Sequence, residues 1–164
     1  MPEVIFPGPD GRLEGRYHPQ KAPDAPIAIM LHPHPQFGGT MNNRVVHRMH
    51  YAFYELGFTV LRFNFRGVGR SQGEYDQGIG ELSDAAAALD YLQALNPNSK
   101  HCWVAGFSFG AAMTLTLAPS ITALTVSWGL ARFCCAATRA APGMASTAAI
   151  AAAIRARRWV TGLS

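Results

Sequence analysis

The most informative run of the sequence is residues 102–110, Cys-Trp-Val-Ala-Gly-Phe-Ser-Phe-Gly. Its first four residues are apolar, which is typical of a β-strand buried on both faces of a parallel sheet. Gly106, Ser108 and Gly110 follow with the spacing G-x-S-x-G, and residues 108–118 then favour a helix that stops before a proline. The sequence therefore predicts a strand, a tight turn centred on a serine, and a helix in direct succession.

Two earlier apolar runs predict further strands of the same sheet. Ile27–Leu31 is continuously apolar, and residues 58–64, Phe-Thr-Val-Leu-Arg-Phe-Asn, are predicted to form the next strand. Between them, residues 44–56 repeat their apolar side chains with helical spacing, and Gly57 is suited to end that helix. Residues 1–26 are rich in proline, glycine and charge, which fits an opening hairpin or an irregular lead-in.

A second helix is expected between residue 74 and the Asn96-Pro97 pair that ends it. Its apolar side chains share one face: Leu82, Ala85, Ala86, Leu89, Leu92 and Leu95. Strands and helices thus alternate along the chain, as crossover connections between parallel strands require. The pattern predicts an α/β fold with three layers, doubly wound around a mostly parallel sheet.

The character of the chain changes after Pro119. Residues 121–128 are compatible with one more strand, whereas residues 131–156 contain twelve alanines and no acidic residue. Alanine favours a helix, but a helix of alanine and arginine would bury little apolar surface. We therefore divide the chain into residues 1–118, which carry the fold, and an Ala/Arg-rich tail at 119–164, expected to be frameshifted or poorly ordered.

The net charge of +4 is unevenly distributed. Residues 1–108 carry nine Lys/Arg and ten Asp/Glu, whereas residues 109–164 carry five Arg and no Asp, Glu, Lys or His. These arginines fit a solvated surface, because the aromatic interleaving and recognisable module of a nucleic-acid binder are missing. We expect no nucleic-acid partner.

The sequence also indicates the cellular compartment in which the protein is expected. It has no run of 18 apolar residues, so no membrane partner is expected, and its N-terminus lacks the basic and apolar regions of a secretory signal. Three cysteines, with Cys134 adjacent to Cys135, do not make a disulfide framework. A reducing, cytoplasmic location is expected.

Chemistry is expected at Ser108. A turn of this kind strains the backbone and exposes the serine hydroxyl, and flanking glycines avoid a collision with neighbouring chain. The helix that begins there directs its first N–H groups at the reacting oxygen, so the amide of Phe109 is a candidate oxyanion donor. A second donor is expected from the loop at 32–39. Proline has no N–H, which leaves His34 or Gln36, and we favour His34.

Three motifs carry a family resemblance: His-Pro-His-Pro-Gln-Phe-Gly-Gly at 32–39, Arg-Gly-Val-Gly-Arg-Ser-Gln-Gly at 66–73, and Gly-Phe-Ser-Phe-Gly at 106–110. In this order and at these strand ends, they make residues 25–118 resemble the small bacterial α/β hydrolases, whose relatives include serine aminopeptidase-like, Xaa-Pro dipeptidyl-peptidase-like and dienelactone hydrolase-like proteins.

The resemblance implies hydrolysis of an ester, amide or thioester bond in a small-molecule acyl substrate by a Ser-His-Asp triad. Ser108 maps to the nucleophile, and Phe109 and His34 map to the oxyanion donors. No cofactor and no metal is implied.

The sequence departs from this pattern after the serine. In the α/β-hydrolase fold the triad acid and histidine follow the nucleophile, and residues 109–164 contain no Asp, Glu or His. We expect a hydrolase reading frame that ends in unrelated sequence shortly after residue 113, by frameshift or truncation. Two hypotheses follow, an active serine hydrolase and an inactive fragment, and a fluorophosphonate probe distinguishes them.

Other interpretations of the polar residues have less support in the sequence. His32 and His34 could hold a metal, but no third ligand stands at a convincing spacing. The glycines of the 66–73 loop resemble a nucleotide-binding loop without the helix that should begin among them. Asp84 and Asp90 precede the serine by too little chain to be the usual triad acid, so a solvated or helix-capping role is expected.

Overall fold

The computed structural model describes residues 2–117, 123–129 and 132–139. Ten elements follow one another in these ranges: β1 (Glu3–Gly8), β2 (Gly11–His18), β3 (Ile27–Leu31), α1 (Arg44–Glu55), β4 (Thr59–Phe63), α2 (Ile79–Leu95), β5 (Cys102–Phe107), α3 (Phe109–Leu117), β6 (Ala123–Gly129) and β7 (Arg132–Arg139). A short 3₁₀ turn, Pro35–Phe37, lies between β3 and α1. No helix in this described part has the length and apolarity needed to cross a lipid bilayer.

Within these ranges the strands form one sheet in the order β1-β2-β4-β3-β5-β7-β6. Its centre is parallel, because β3 pairs with β4 on one side and with β5 on the other. The edges are antiparallel: the β1–β2 hairpin joins β4, and β7 and β6 extend the sheet beyond β5. The predicted opening hairpin and the strand predicted at 121–128 are both present.

Helices cover both faces of the parallel centre, which gives the three predicted layers. The first cluster of apolar side chains packs α1 onto one face and includes Met30, Val46, Phe53, Val60 and Trp103. The second packs α2 onto the opposite face and includes Ile29, Leu31, Phe63, Ala88 and Leu92. All five residues of β3 are buried, as a strand between two helical layers requires.

The ends of α1 follow from local chemistry. The Asn43 side chain accepts a hydrogen bond of 2.9 Å from the Val45 amide, which satisfies one of the unpaired donors of the first turn. At the other end, Gly57 adopts a left-handed φ of 91° and donates its amide to the Tyr54 carbonyl. The predicted end of this helix at Gly57 is therefore confirmed.

The buried face of α2 differs from the predicted one. Ala85 and Leu92 are buried as expected, but Ala86 and Leu95 are exposed. Two carboxylates, Glu81 and Asp84, occupy the buried face instead. The prediction from apolar periodicity places acidic side chains in solvent. It was wrong for these two because Glu81 accepts amides just before the helix, and Asp84 pairs with a residue of a distant loop.

Residues 132–139, within the predicted tail, form a strand. This strand is β7, which pairs antiparallel with β5, and its sequence contains only two of the twelve alanines of residues 131–156. The helical preference of alanine therefore applies weakly to this segment, and pairing with the edge of β5 satisfies the backbone groups of both strands. Apart from β6 and β7, the predicted tail lies outside the described residues.

Candidate active site

The connections of the sheet place two loops at one end of it. β3 leads through α1 to its neighbour β4, and the chain then crosses the other face through α2 to reach β5 on the opposite side of β3. Loops that follow β3 and β5 therefore diverge to opposite faces from adjacent parallel strands. This point of divergence is where open α/β sheets bind their ligands.

Ser108 occupies the turn between β5 and α3. Its φ of 57° lies in the left-handed region, which is strained for any residue with a Cβ atom. The residue is exposed, and its carbonyl accepts the amides of Ala111 and Ala112 at 2.9 and 3.1 Å, so the helix starts immediately after it. The predicted strand–turn–helix arrangement around this serine is present.

Gly106 and Gly110 allow the turn to close. A Cβ atom on Gly106 would lie 2.7 Å from the Ala111 amide nitrogen and closer still to the Gly110 carbonyl. A Cβ atom on Gly110 would lie 2.6 Å from the carbonyl carbon of Leu31. The spacing G-x-S-x-G is thus a steric requirement here. The backbone at the start of α3 packs directly against Gly106 on one side and against the end of β3 on the other, which leaves no room for a Cβ atom at either glycine.

His32 ties the loop after β3 to the loop after β4. It is fully buried, its Nε2 accepts the Phe65 amide at 3.0 Å, and its Nδ1 donates to the Pro33 carbonyl at 2.6 Å. Burial lowers the pKa of His32 to about 4, so the imidazole is neutral at pH 7. Both ring nitrogens are engaged within the chain, which makes His32 a structural bridge.

His34 organises the next part of this loop. Its Nδ1 accepts the Gln36 amide at 3.2 Å, and its carbonyl accepts the amides of Phe37 and Gly39 at 3.1 and 3.0 Å. Its Nε2 lies 3.1 Å from the hydroxyl oxygen of Tyr75, a residue that follows β4. With its ring nitrogens used in this way, the alternative of a metal held by the pair at 32 and 34 finds no support in the side-chain contacts.

The structure brings the three predicted site residues to one place. Gly110 rests against the end of β3, where the loop carrying His34 begins, and the His34 ring lies 5.0 Å from the Phe109 ring. Ser108 adjoins Phe109 at the start of the helix. The serine, the first amides of α3 and the loop predicted to supply a second donor are therefore neighbours.

Asp84 takes part in a buried ion pair, so the expectation that it is solvated or caps a helix is wrong. It is fully buried, and its carboxylate accepts the Arg66 amide, the Arg66 Nε and the Arg66 Nη2 at 3.0, 3.0 and 2.8 Å. The same contacts raise the pKa of Arg66. This fixes the start of the 66–73 loop on α2.

Tyr75 is the residue of this region that the sequence did not reveal. It is 41 positions from His34, and no local pattern marks it. Tyr75 also lines a cleft of about 560 Å³ with Arg66, Ile79 and the acidic residues Asp10, Glu74 and Asp76. Ser108 is not among the lining residues, so this cleft is adjacent to the serine turn and separate from it.

Comparison with solved structures agrees with this architecture. A protein of unknown function from Agrobacterium tumefaciens is 66% identical with a TM-score of 0.71, over 73% of this chain and 55% of its own. An alpha-beta serine hydrolase homologue from Coxiella burnetii is 42% identical with a TM-score of 0.67, over 72% of this chain and 57% of its own. The chain is a member of the α/β-hydrolase superfamily, and the predicted fold class is confirmed.

The family follows from a profile of the X-Pro dipeptidyl-peptidase (S15) family, which matches residues 15–131. The chain belongs to this family. An uncharacterized protein of Rickettsia prowazekii (strain Madrid E), RP471, is 54% identical over 117 residues, which are 71% of this chain and 49% of that protein. The chain thus spans about half the length of these relatives.

Proposed function

We propose that this chain is a serine hydrolase that cleaves an ester, amide or thioester bond in a small-molecule acyl substrate, with Ser108 as the nucleophile. One observation carries the proposal: an exposed serine with a φ of 57° stands between a buried parallel strand and a helix, closed in by Gly106 and Gly110. A strained backbone that exposes a serine side chain at this end of an α/β sheet is characteristic of a catalytic nucleophile.

In the proposed reaction the Ser108 Oγ attacks the acyl carbon and gives up its proton to solvent, and the carbonyl oxygen becomes an oxyanion. The N–H groups of Phe109 and His34 are the proposed donors to that oxyanion, and a preorganised donor of this kind lowers the barrier by about 3–4 kcal/mol. Collapse of the tetrahedral intermediate breaks the bond to the leaving group, which takes a proton from solvent and departs as the alcohol, amine or thiol, while the acyl group stays on the Ser108 Oγ. Water then adds to this acyl-serine and releases the acid and the free serine. No cofactor or metal is needed for these steps.

A second candidate is an inactive member of the family. The observation that favours it is the composition of residues 109–164, which contain no Asp, Glu or His to accept the serine proton in the chain order of this fold. Without an adjacent base, a serine hydroxyl is a weak nucleophile at neutral pH. Such a chain could still bind an acyl compound at the turn.

Hydrolysis of matched acetyl compounds tests the two candidates. The chain is incubated with p-nitrophenyl acetate, p-nitroacetanilide and an acetyl thioester, beside Ser108→Ala and the control Ser83→Ala on the exposed face of α2. The hydrolase proposal predicts turnover of at least one compound that S108A abolishes and S83A retains. Rates equal to buffer for all three proteins, together with no fluorophosphonate labelling, identify the inactive member.

A further inference from the structure

We infer that Tyr75 is a positioning residue whose hydroxyl, through a hydrogen bond to His34, holds the loop at 32–39 in place beside Ser108. The inference rests on the proposed function, because it concerns how the second oxyanion donor is placed. It starts from the hydrogen bond of 3.1 Å between the Tyr75 hydroxyl and His34 Nε2.

The other contacts of His34 fix the direction of this bond. The Gln36 amide donates to Nδ1, so Nδ1 is unprotonated and the ring hydrogen is on Nε2. Nε2 therefore donates to the Tyr75 oxygen. This leaves the imidazole as a link between two backbone segments, the turn at 35–37 on one side and the segment after β4 on the other.

The segment that carries Tyr75 is attached to α2. The next residue, Asp76, donates its amide to the Glu81 carboxylate at 3.0 Å, and Gly78 donates to the same carboxylate at 2.7 Å. Glu81 is fully buried in the first turn of α2. The segment that carries Tyr75 is thus fastened to a helix packed against the sheet.

The loop on the other side has fewer attachments to the core after His32. Gln36, Phe37 and Gly38 are exposed, and the Phe37 side chain is 86% exposed. The hydrogen bonds of Phe37 and Gly39 return to the His34 carbonyl, within the loop itself. The Tyr75 hydroxyl therefore connects this self-contained turn to α2, and the ring contacts of His34 with Tyr75 and Phe109, both at 5.0 Å, align it with the serine turn.

Tyr75→Phe tests the inference, because it keeps the ring contacts and removes the hydroxyl. Tyr17→Phe is the matched control, since it removes a tyrosine hydroxyl bonded at 3.2 Å to Asn96, away from this loop. A displaced donor should slow phosphonylation of Ser108 by a fluorophosphonate about tenfold in Y75F and leave Y17F at the parent rate. His34→Asn, which still accepts the Gln36 amide, should be labelled as slowly as Y75F. The double variant H34N/Y75F should be labelled no more slowly than either single variant.

The outcomes separate this inference from the proposed function. Equal labelling rates for the parent, Y75F and Y17F overturn the positioning role and leave Ser108 as the nucleophile. A parent that is not labelled contradicts the proposed function. The positioning role is then decided by ¹⁵N spectra of the His34 imidazole and by amide exchange at Phe37 and Gly39: both must change in Y75F alone, and unchanged values overturn the inference.

Discussion

His32 and Phe65 are joined by a hydrogen bond of 3.0 Å in which the Phe65 amide donates to the Nε2 of a fully buried imidazole. The bond connects the loop after β3 to the loop after β4, and it requires the neutral ring, because a protonated Nε2 cannot accept. The fold of these two loops is therefore coupled to the protonation of one histidine.

This coupling predicts loss of stability in acid. Burial lowers the pKa of His32 to about 4 and, with the nearby Arg62, that of His50 to about 3, whereas unfolding returns both to an ordinary value near 6.5. The stabilisation from keeping each ring neutral is complete above pH 6.5 and is lost as the pH falls toward 4 for His32 and toward 3 for His50. For His32 alone the loss amounts to about 3 kcal/mol.

Urea unfolding between pH 7 and pH 4 measures this loss. His32→Gln keeps an acceptor for the Phe65 amide and removes the titration, so the free energy of unfolding of H32Q should vary with pH by about 3 kcal/mol less than that of the parent. Identical pH dependence in the two proteins would contradict the assignment of a neutral, buried His32.

Gly110→Ala should be strongly destabilising. The new Cβ atom would meet the Leu31 carbonyl carbon at 2.6 Å, and neither backbone segment can move without separating α3 from β3, so we expect a loss of about 3 kcal/mol. Gly38→Ala is the control: its φ is 73° but its Cβ would meet nothing within 4 Å, which predicts about 1 kcal/mol. Thermal and urea unfolding compare them, and equal losses would refute the steric account.

Asp84→Ala removes both hydrogen bonds that the buried Arg66 guanidinium donates to Asp84 and, among the described residues, leaves it only the exposed Asp10 carboxylate at 3.6 Å. Removing one partner of a buried ion pair costs about 3–5 kcal/mol, since the remaining charge stays desolvated. Asp90→Ala, at an exposed position of the same helix, should change the free energy of unfolding by less than about 0.5 kcal/mol. A D84A protein as stable as D90A would show that the ion pair does not fasten the 66–73 loop to α2.

Substitutions at Ser108 test the backbone strain by itself. At a left-handed φ, glycine is free of the penalty that any Cβ atom incurs, so Ser108→Gly should be more stable than Ser108→Ala by about 1 kcal/mol. Ser83 lies inside α2, where the order should reverse by about the same amount. The same preference at both positions would argue against a strained turn.

The sequence predicted most of the features that depend on local patterns. Largely apolar runs located the buried strands, Gly57 located the end of α1, and the glycines around Ser108 located the tight turn. Each of these features depends on residues close together in the chain. The order of the strands was not predicted. Once β3 and β5 are neighbours in the sheet, the meeting of Ser108 with the loop at 32–39 follows, because both loops leave the same end of adjacent parallel strands.

The features that were missed depend on partners far apart in the chain. Asp84 is buried because Arg66 reaches it across 18 positions, and Tyr75 meets His34 across 41. Acidic residues on a helix and a tyrosine in a loop carry no sign of such partners in their neighbourhood. The strand at 132–139 was also not predicted, because its antiparallel pairing with β5 joins segments that are far apart in the chain.

The most direct measurement is the position of a fluorophosphonate adduct in the intact chain, read by tandem mass spectrometry of its peptides. An oxygen activated by this turn should be phosphonylated at Ser108 alone, with Ser71, Ser83 and Ser99 unmodified and the adduct absent from S108A. A chain that stays unmodified, or one modified equally at several serines, would contradict the assignment of Ser108 as the nucleophile.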